Sequence, residues 1–120
     1  MLPRRIAKEP KKEKRWRSPA HLSFVRSHEC CVPGCDRRPI EAAHVRLGGN
    51  GGIGFKPADY CAVSLCGGPD GHHSEQHRIG ERSFQEKYKI NMLELADEFA
   101  KVSPKAAEIK KEKASRANSN

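Results

Sequence analysis

The sequence predicts a small α+β domain that depends on a bound metal ion for stability. Two short segments with strand character are followed by segments with helical periodicity, an order that favours mixed α and β structure. Only 36% of the 120 residues are hydrophobic and 6% are aromatic, so any core is thin. Domains with thin cores commonly need a disulfide, a metal or a partner.

Composition argues against a membrane or secreted protein. No apolar run approaches the roughly 20 residues of a membrane span. The charged N-terminus is not followed by the roughly 7–15 apolar residues of a secretory signal. We therefore expect a cytoplasmic protein, in which cysteines more often bind metal than form disulfides. The odd number of cysteines, five, also argues against a simple disulfide framework.

The net charge of +8 lies at the two ends of the chain. Residues 1–17 carry a net charge of +6 and residues 101–120 carry +4, whereas residues 18–100 carry −2. Basic arms commonly bind nucleic acid through phosphate contacts, although a solvated tail that only aids solubility is the alternative. The predicted organisation is a disordered basic arm over 1–17, a domain over 18–103 and a basic, weakly ordered tail over 104–120.

Local signals predict the order of the elements. Ser18-Pro19 predicts a helix start, with Ser as N-cap and Pro at the first helical position. The segments "IEAAHVRL" and "YCAVSLC" have strand character, and the glycine-rich segment Gly48–Gly54 between them suits a hairpin tip. "GERSFQEKYKI" predicts a helix, and Asn91 predicts the N-cap of another.

Three apolar features are expected to be structural. Trp16 is expected to dock on the domain, and Cys61, in a strand-like run, to be a small buried hydrophobe. An apolar stripe at helical spacing follows Asn91, and we expect all of it to face the core. Its members are Met92, Leu95, Phe99 and Val102.

Two cysteine-centred pairs predict a structural zinc site. Cys30 and Cys35 flank a Pro-Gly turn, and Cys66 and His72 flank the spacer "GGPDG". Structural zinc takes four nitrogen or sulfur ligands, often two from each of two knuckles. These four residues are therefore the predicted ligands. Cys31 is an alternative to Cys30, because either spacing around the turn is feasible.

Three further histidines lie outside this predicted zinc site. His73 and His77 are four residues apart, so on a helix they share one face and can form half of a divalent-metal site. A surface histidine pair without a ligand is the alternative. His44 lies in the first strand-like segment, where a histidine is more often structural than catalytic. The combination of His44 with the histidine pair favours a functional role over three unrelated structural histidines.

The order of the motifs resembles that of the HNH, or ββα-metal, nucleases. The ending "LC…HHSEQH" is similar to the family's Leu-Cys-x-x-Cys-His-x-x-x-His, with a longer spacer and with His72 in place of the second zinc cysteine. More narrowly, "HLSFVRSHEC", "AAHVRLGGNGGIGFKPAD" and "HHSEQHRIGERSF" resemble the phage-borne, RecA-dependent Ref-type nucleases. The Gly-x-Lys-Pro-x-Asp portion is similar to the prophage YbcO-like family. The resemblance covers about residues 20–90.

This resemblance implies a ββα-metal core with flanking helices and a metal-dependent DNA endonuclease linked to recombination. It implies that His44 is the general base, since a neutral imidazole can take a proton from water near neutral pH. His73 and His77 would hold one divalent ion, Mg²⁺ or another metal, beside the scissile phosphate. The implied products carry 5′-phosphate and 3′-hydroxyl ends. The implied setting is the cytoplasm of a bacterial host, with DNA and a RecA-type recombinase filament as partners.

Three residues are candidates for supporting this site. Asp59 lies near where the family often has Asn, and it could bind metal, orient His44 or cap a turn. Arg46 and Arg78 flank the site in sequence and could contact phosphates, although solvated arginines are the alternative. Many family members also place a metal-binding Asp or His directly before the base, where this chain has Ala43.

A zinc-stapled nucleic-acid-binding module without catalysis is the alternative function. It would use the same cysteine knuckles and basic arms. Such a module would have no need for His44, His73 and His77 once its zinc ligands were complete. The sequence leaves open whether the substrate is single- or double-stranded.

Overall fold

The computed structural model describes residues 15–46 and 57–117. Within these ranges the chain forms a two-stranded sheet and five helices, which confirms the predicted α+β class. The elements in chain order are α1 (Pro19–Arg26), β1 (Ile40–His44), β2 (Ala62–Cys66), α2 (His72–Ile79), α3 (Glu81–Tyr88), α4 (Met92–Val102) and α5 (Ala106–Ala117). Residues 1–14 of the predicted arm and the predicted hairpin tip, Gly48–Gly54, lie outside the described residues. Among the helices described, none is long and apolar enough to span a membrane.

The sheet lies at the centre of the molecule. Strands β1 and β2 pair antiparallel, with Ile40 opposite Cys66 and His44 opposite Ala62. Every residue of β2 is buried, as its sequence Ala-Val-Ser-Leu-Cys favours, whereas β1 exposes Glu41. Helices α1, α2 and α4 pack against these strands. One end of the sheet therefore lies beside the cysteine knuckles, and His44 lies at the other end.

Helix α1 begins where the sequence predicts. The Ser18 hydroxyl accepts a hydrogen bond from the His21 backbone N–H at 3.1 Å, and Pro19 occupies the first turn. The side chain of Asn91 caps α4 in the same way, accepting from the Glu94 N–H at 3.0 Å. Both predicted caps are confirmed. Short polar side chains are favoured there because they accept hydrogen bonds from N–H groups that the first helical turn leaves unpaired.

The segment before α1 docks on the domain. The Trp16 carbonyl accepts from the Asp59 N–H at 2.9 Å, and the Trp16 ring lies 5.7 Å from the Tyr60 ring. The indole N–H donates to Glu108 of α5 at 3.0 Å. The expected docking of Trp16 is confirmed, and residues 15–17 of the predicted arm pack against the domain.

Two apolar clusters form the interior. The larger one joins the strands to Phe84 of α3 and Met92 of α4. The smaller one includes Cys61, which is buried as predicted, and Ile109 of α5, which is only 2% exposed. Residues 104–120, the predicted weakly ordered tail, thus contain a helix that contributes to the interior.

The buried face of α4 differs from the predicted stripe. Leu95 and Phe99 are partly buried, but Val102 is 68% exposed, so its expected place in the core was wrong. The buried positions of α4 are spaced four apart: Met92, Ala96 and Ala100. Alanines do not stand out in an apolar stripe, yet their small side chains let a helix approach its neighbours closely.

The buried His21 makes stability depend on pH. Its Nδ1 lies 2.8 Å from the Ser103 hydroxyl, and its buried Nε2 has no hydrogen-bond partner among the described residues. Burial lowers the pKa of His21, and the charge of Asp59 only partly opposes this effect. Below about pH 6.5 the unfolded chain binds a proton at this histidine more readily than the folded protein does, so protonation favours unfolding.

We therefore expect the free energy of unfolding to fall as the pH drops below about 6.5, and His21→Asn to flatten that dependence. Asparagine can keep a hydrogen bond to Ser103 but does not titrate. Urea denaturation of both proteins between pH 5 and pH 8 measures the difference. Parallel pH profiles for the parent and the variant would contradict this role of His21.

Candidate functional site

Four potential metal ligands converge beside the sheet. Cys30 and Cys35 lie in the loop after α1, Cys66 ends β2 and His72 begins α2. Their ligand atoms all lie within 4.8 Å of one another. The two sulfurs of Cys35 and Cys66 are 3.9 Å apart, and His72 Nδ1 lies 3.3 Å from Cys66 Sγ. Ligands of a tetrahedral zinc are roughly 3.5–3.8 Å apart, so this Cys₃His group could hold a structural metal ion such as zinc.

The structure distinguishes the two adjacent cysteines. Cys30 Sγ lies 3.4 Å from His72 Nδ1, within the group. The Cys31 N–H donates to the Ser64 carbonyl at 2.8 Å, and its sulfur lies 3.4 Å from the Ser64 hydroxyl. These contacts hold Cys31 against β2. Cys30, rather than the alternative Cys31, is therefore the member of the group.

Glycines in both knuckles allow the four ligands to meet. Gly34 has a φ of +81° in the turn that brings Cys35 back towards Cys30, a conformation that favours glycine. At Gly71 a Cβ would collide with the backbone carbonyl of Cys66. The close approach at Gly71 places His72 over Cys66, and the His72 N–H donates to that sulfur at 3.2 Å.

Burial affects the protonation of two members of the Cys₃His group, Cys30 and His72. It raises the pKa of the Cys30 thiol to about 12. Burial also lowers the pKa of His72, which keeps the imidazole neutral and its lone pair available. A bound cation would reverse the preference of the thiol and deprotonate it. Metal uptake at this group should therefore release protons and weaken at low pH.

A cleft of about 1120 Å³ lies next to β1 and α2. It is lined by His44, His73 and His77, so the structure brings together the three histidines that the sequence left outside the zinc site. Arg46 also lines the cleft, as expected. Arg78 instead lines a smaller pocket beside His72. Successive residues of a helix are rotated by about 100°, so Arg78 lies on a different face of α2 from His77.

His44 is held by the buried carboxylate of Asp59. Its Nε2 lies 2.9 Å from Asp59 Oδ1, and Asp59 Oδ2 accepts the Ser18 N–H at 2.8 Å. Burial alone would raise the pKa of Asp59, but hydrogen bonds from His44 and Ser18 and the nearby charge of Arg17 outweigh it and lower that pKa. An ionised carboxylate only accepts hydrogen bonds. The proton of neutral His44 therefore lies on Nε2, and Nδ1 is the unprotonated nitrogen.

His73 and His77 form a pair on the exposed side of α2. Their Nε2 atoms are 3.3 Å apart, which confirms that they share one helical face. Two nitrogen ligands at about 2.0–2.1 Å from one metal ion are roughly 3 Å apart. The pair could therefore hold a divalent ion.

Sequence reasoning missed Glu41, Arg26 and Arg82, which also line this cleft. Glu41 Oε1 lies 2.6 Å from His73 Nδ1. The available signal for Glu41 was an acidic residue in the same short strand as His44. The two arginines, on α1 and α3, carried no such signal, because only the packing of those helices brings them to the cleft.

The chain belongs to DUF968, a protein family of unknown function. The match covers residues 2–105. No curated protein and no solved structure matches the chain.

We expect the folded protein to contain about one zinc per chain, bound by the Cys₃His group. Cys30→Ser and Cys66→Ser should both lose the ion and cooperative unfolding, because a thin core depends on it. Cys31→Ser is the matched control, and it should retain both. Elemental analysis and thermal denaturation measure the two properties. Folded parent protein without zinc, or equal zinc loss in Cys31→Ser, would show the ligand assignment to be wrong.

Proposed function

We propose that this protein is a metal-dependent DNA endonuclease of the HNH type, which hydrolyses phosphodiester bonds. The observation that carries the proposal is the cleft shared by His44, His73 and His77. These histidines lie outside the Cys₃His group, so a structural metal does not account for them. The order of strand, strand and helix that presents them also fits the resemblance to ββα-metal nucleases.

His44 is the proposed general base. Because its Nε2 proton is directed at Asp59, its Nδ1 lone pair is available to take a proton from an attacking water. Asp59 holds the ring and its tautomer, and the lowered pKa of Asp59 keeps that carboxylate ionised. A base held by a third group in this way is a common arrangement in hydrolytic sites.

His73 and His77 are the proposed ligands of the catalytic ion. When bound, a divalent ion would stabilise charge on the phosphate and on the leaving oxygen. Imidazole nitrogens suit transition metals better than Mg²⁺, which prefers oxygen ligands. The donor set therefore favours a transition metal over Mg²⁺ at this site, with water or phosphate oxygen as further ligands.

The surroundings of the cleft suit a polyanionic substrate. Arg26 of α1, Arg82 of α3 and Arg46, just after β1, line it. Guanidinium groups bind phosphate oxygens through paired hydrogen bonds. The Arg46 backbone N–H donates to both carboxylate oxygens of Glu81, at 3.0 and 2.8 Å, which fixes the rim of the cleft after β1. The resemblance to Ref-type nucleases adds a phage or prophage origin and a RecA-type filament as a partner to the proposal.

A non-catalytic, zinc-stapled nucleic-acid-binding module is the alternative. The Cys₃His group and the cleft arginines are compatible with it. It gives no role to the His44–Asp59 hydrogen bond or to the histidine pair on α2. The endonuclease accounts for both and is therefore favoured.

His44→Ala should reduce DNA cleavage by about 10²–10⁴-fold, the usual contribution of a general base. Zinc content, folding and DNA affinity should stay near parent values, because a base acts mainly in the transition state. His73→Ala and His77→Ala should instead raise the metal concentration needed for activity. Cleavage of plasmid and single-stranded DNA across a divalent-metal series, with and without a recombinase, measures these effects.

His28→Ala is a matched control, since His28 lines a different pocket, and it should cut at the parent rate. If His44→Ala also cuts at the parent rate, the proposed mechanism fails and the binding module becomes the better explanation. If His44→Ala loses zinc and unfolds, His44 is a structural residue.

Deleting residues 1–14 should weaken DNA binding and flatten its salt dependence, since these residues carry six lysines and arginines. Deleting residues 1–17 should also lower stability, because Trp16 and Arg17 contact the domain. Fluorescence anisotropy from about 50 to 200 mM salt, paired with thermal denaturation, separates the two effects. An unchanged salt slope after the shorter deletion would count against a phosphate-binding arm.

A further inference from the structure

Glu41 contacts the histidine pair from the neighbouring strand. Its Oε1 lies 2.6 Å from His73 Nδ1, and its side chain is 48% exposed. A carboxylate only accepts hydrogen bonds, so the proton of neutral His73 lies on Nδ1. The Nε2 of His73 then carries the lone pair, and this atom lies 3.3 Å from Nε2 of His77.

We propose that Glu41 is a positioning residue, which holds His73 so that its Nε2 and that of His77 face one divalent cation. Metal-binding histidines commonly donate their second ring N–H to a carboxylate, which fixes the ring, selects the tautomer and makes the ligand more basic. The proposal deepens the proposed function, since it rests on the histidine pair as the site of the catalytic ion.

The shape of the backbone beside Glu41 supports this role. A Cβ added at Gly67 would lie 2.5 Å from both Cδ and Oε2 of Glu41. Gly67 does not have a positive φ, so its backbone does not itself require glycine. The missing side chain leaves the space that the Glu41 carboxylate occupies, directly after β2 and near the start of α2.

The contacts favour positioning over direct metal binding by Glu41. His73 uses Nδ1 towards Glu41 and Nε2 towards His77, so its ring stands between the carboxylate and the second imidazole. Among the described residues, only the Cys₃His group brings at least three ligand atoms within 4.8 Å of one another. Glu41 therefore acts on the ion through His73.

The tautomer of His73 tests this directly, without any catalysis. Zinc-loaded, ¹⁵N-labelled protein without other divalent metals is used, and NMR correlations of the ring nitrogens identify the protonated atom. The parent and Glu41→Gln should show Nδ1–H, because the amide oxygen of glutamine still accepts that proton. Glu41→Ala should shift to the Nε2–H form that a free imidazole favours. An unchanged tautomer in Glu41→Ala would overturn the proposal.

Metal affinity provides a second readout. Calorimetric titration of zinc-loaded protein with Co²⁺ should show one additional site, and the absence of cobalt–thiolate absorption verifies that the Cys₃His group keeps its zinc. Glu41→Ala should weaken this site by about 10–100-fold. Glu41→Gln should lose less Co²⁺ affinity than Glu41→Ala. Gly67→Ala should also weaken it, because it displaces the carboxylate without removing it.

Glu86→Ala is the matched control, since Glu86 is an exposed glutamate on α3 that does not line the cleft. It should bind Co²⁺ as the parent does. Parent-like affinity in Glu41→Ala, equal losses in Glu41→Gln and Glu41→Ala, or no additional Co²⁺ site in the parent would each overturn the positioning role.

Co²⁺ binding tests the role of Glu41, whereas DNA cleavage tests the endonuclease, so the two can fail independently. If Co²⁺ binding depends on Glu41 and His73 but no DNA is cut, the positioning role stands and the endonuclease fails. If DNA is cut and Glu41→Ala binds Co²⁺ as tightly as the parent, the endonuclease stands and the positioning role fails.

Discussion

The Cys₃His group joins three separate segments of the chain, and the relative placement of the sheet and α2 depends on this contact. Cys30 and Cys35 bring in the loop after α1, Cys66 fixes the end of β2, and His72 fixes the start of α2. The hydrophobic core alone is thin for 120 residues. A metal ion shared by these segments would fix the strand and the helix relative to each other at little cost in chain length.

The same strands and helix also build the cleft. His72 and His73 are adjacent on α2, and because a helix turns by about 100° per residue, one faces the Cys₃His group while the other faces the cleft. Along β1, Ile40 pairs with Cys66 at the metal end, and His44 lies at the opposite end. The Cys₃His group and the candidate catalytic site can therefore share two strands and a helix without sharing a ligand.

Spacing and turn chemistry made much of this site predictable. These features depend on the spacing of residues close together in the chain, which can be read from the sequence. They are the Cys–His knuckles, the helical pair at 73 and 77 and the caps at Ser18 and Asn91. The choice between Cys30 and Cys31 was not predictable, because it depends on a backbone hydrogen bond to Ser64 across the fold.

Long-range packing also explains the other differences between the predicted and the observed structure. Glu41 reaches His73 only because β1 lies beside α2, and Val102 is exposed because alanines take the buried face of α4. The roles proposed for the histidines come from the resemblance to ββα-metal nucleases. That resemblance did not supply Glu41, since its pattern places an additional metal ligand at the position of Ala43.

The N-terminal segment connects the basic arm to the proposed base. Trp16 accepts a backbone hydrogen bond from Asp59, Ser18 donates one to its carboxylate, and Arg17 lies 3.3 Å from Oδ1. Asp59 in turn holds His44. Trp16 and Arg17, at the end of the predicted arm, and the following Ser18 therefore help to orient the imidazole at the cleft. A deletion of residues 1–17 therefore removes contacts to Asp59 together with the basic residues of the arm.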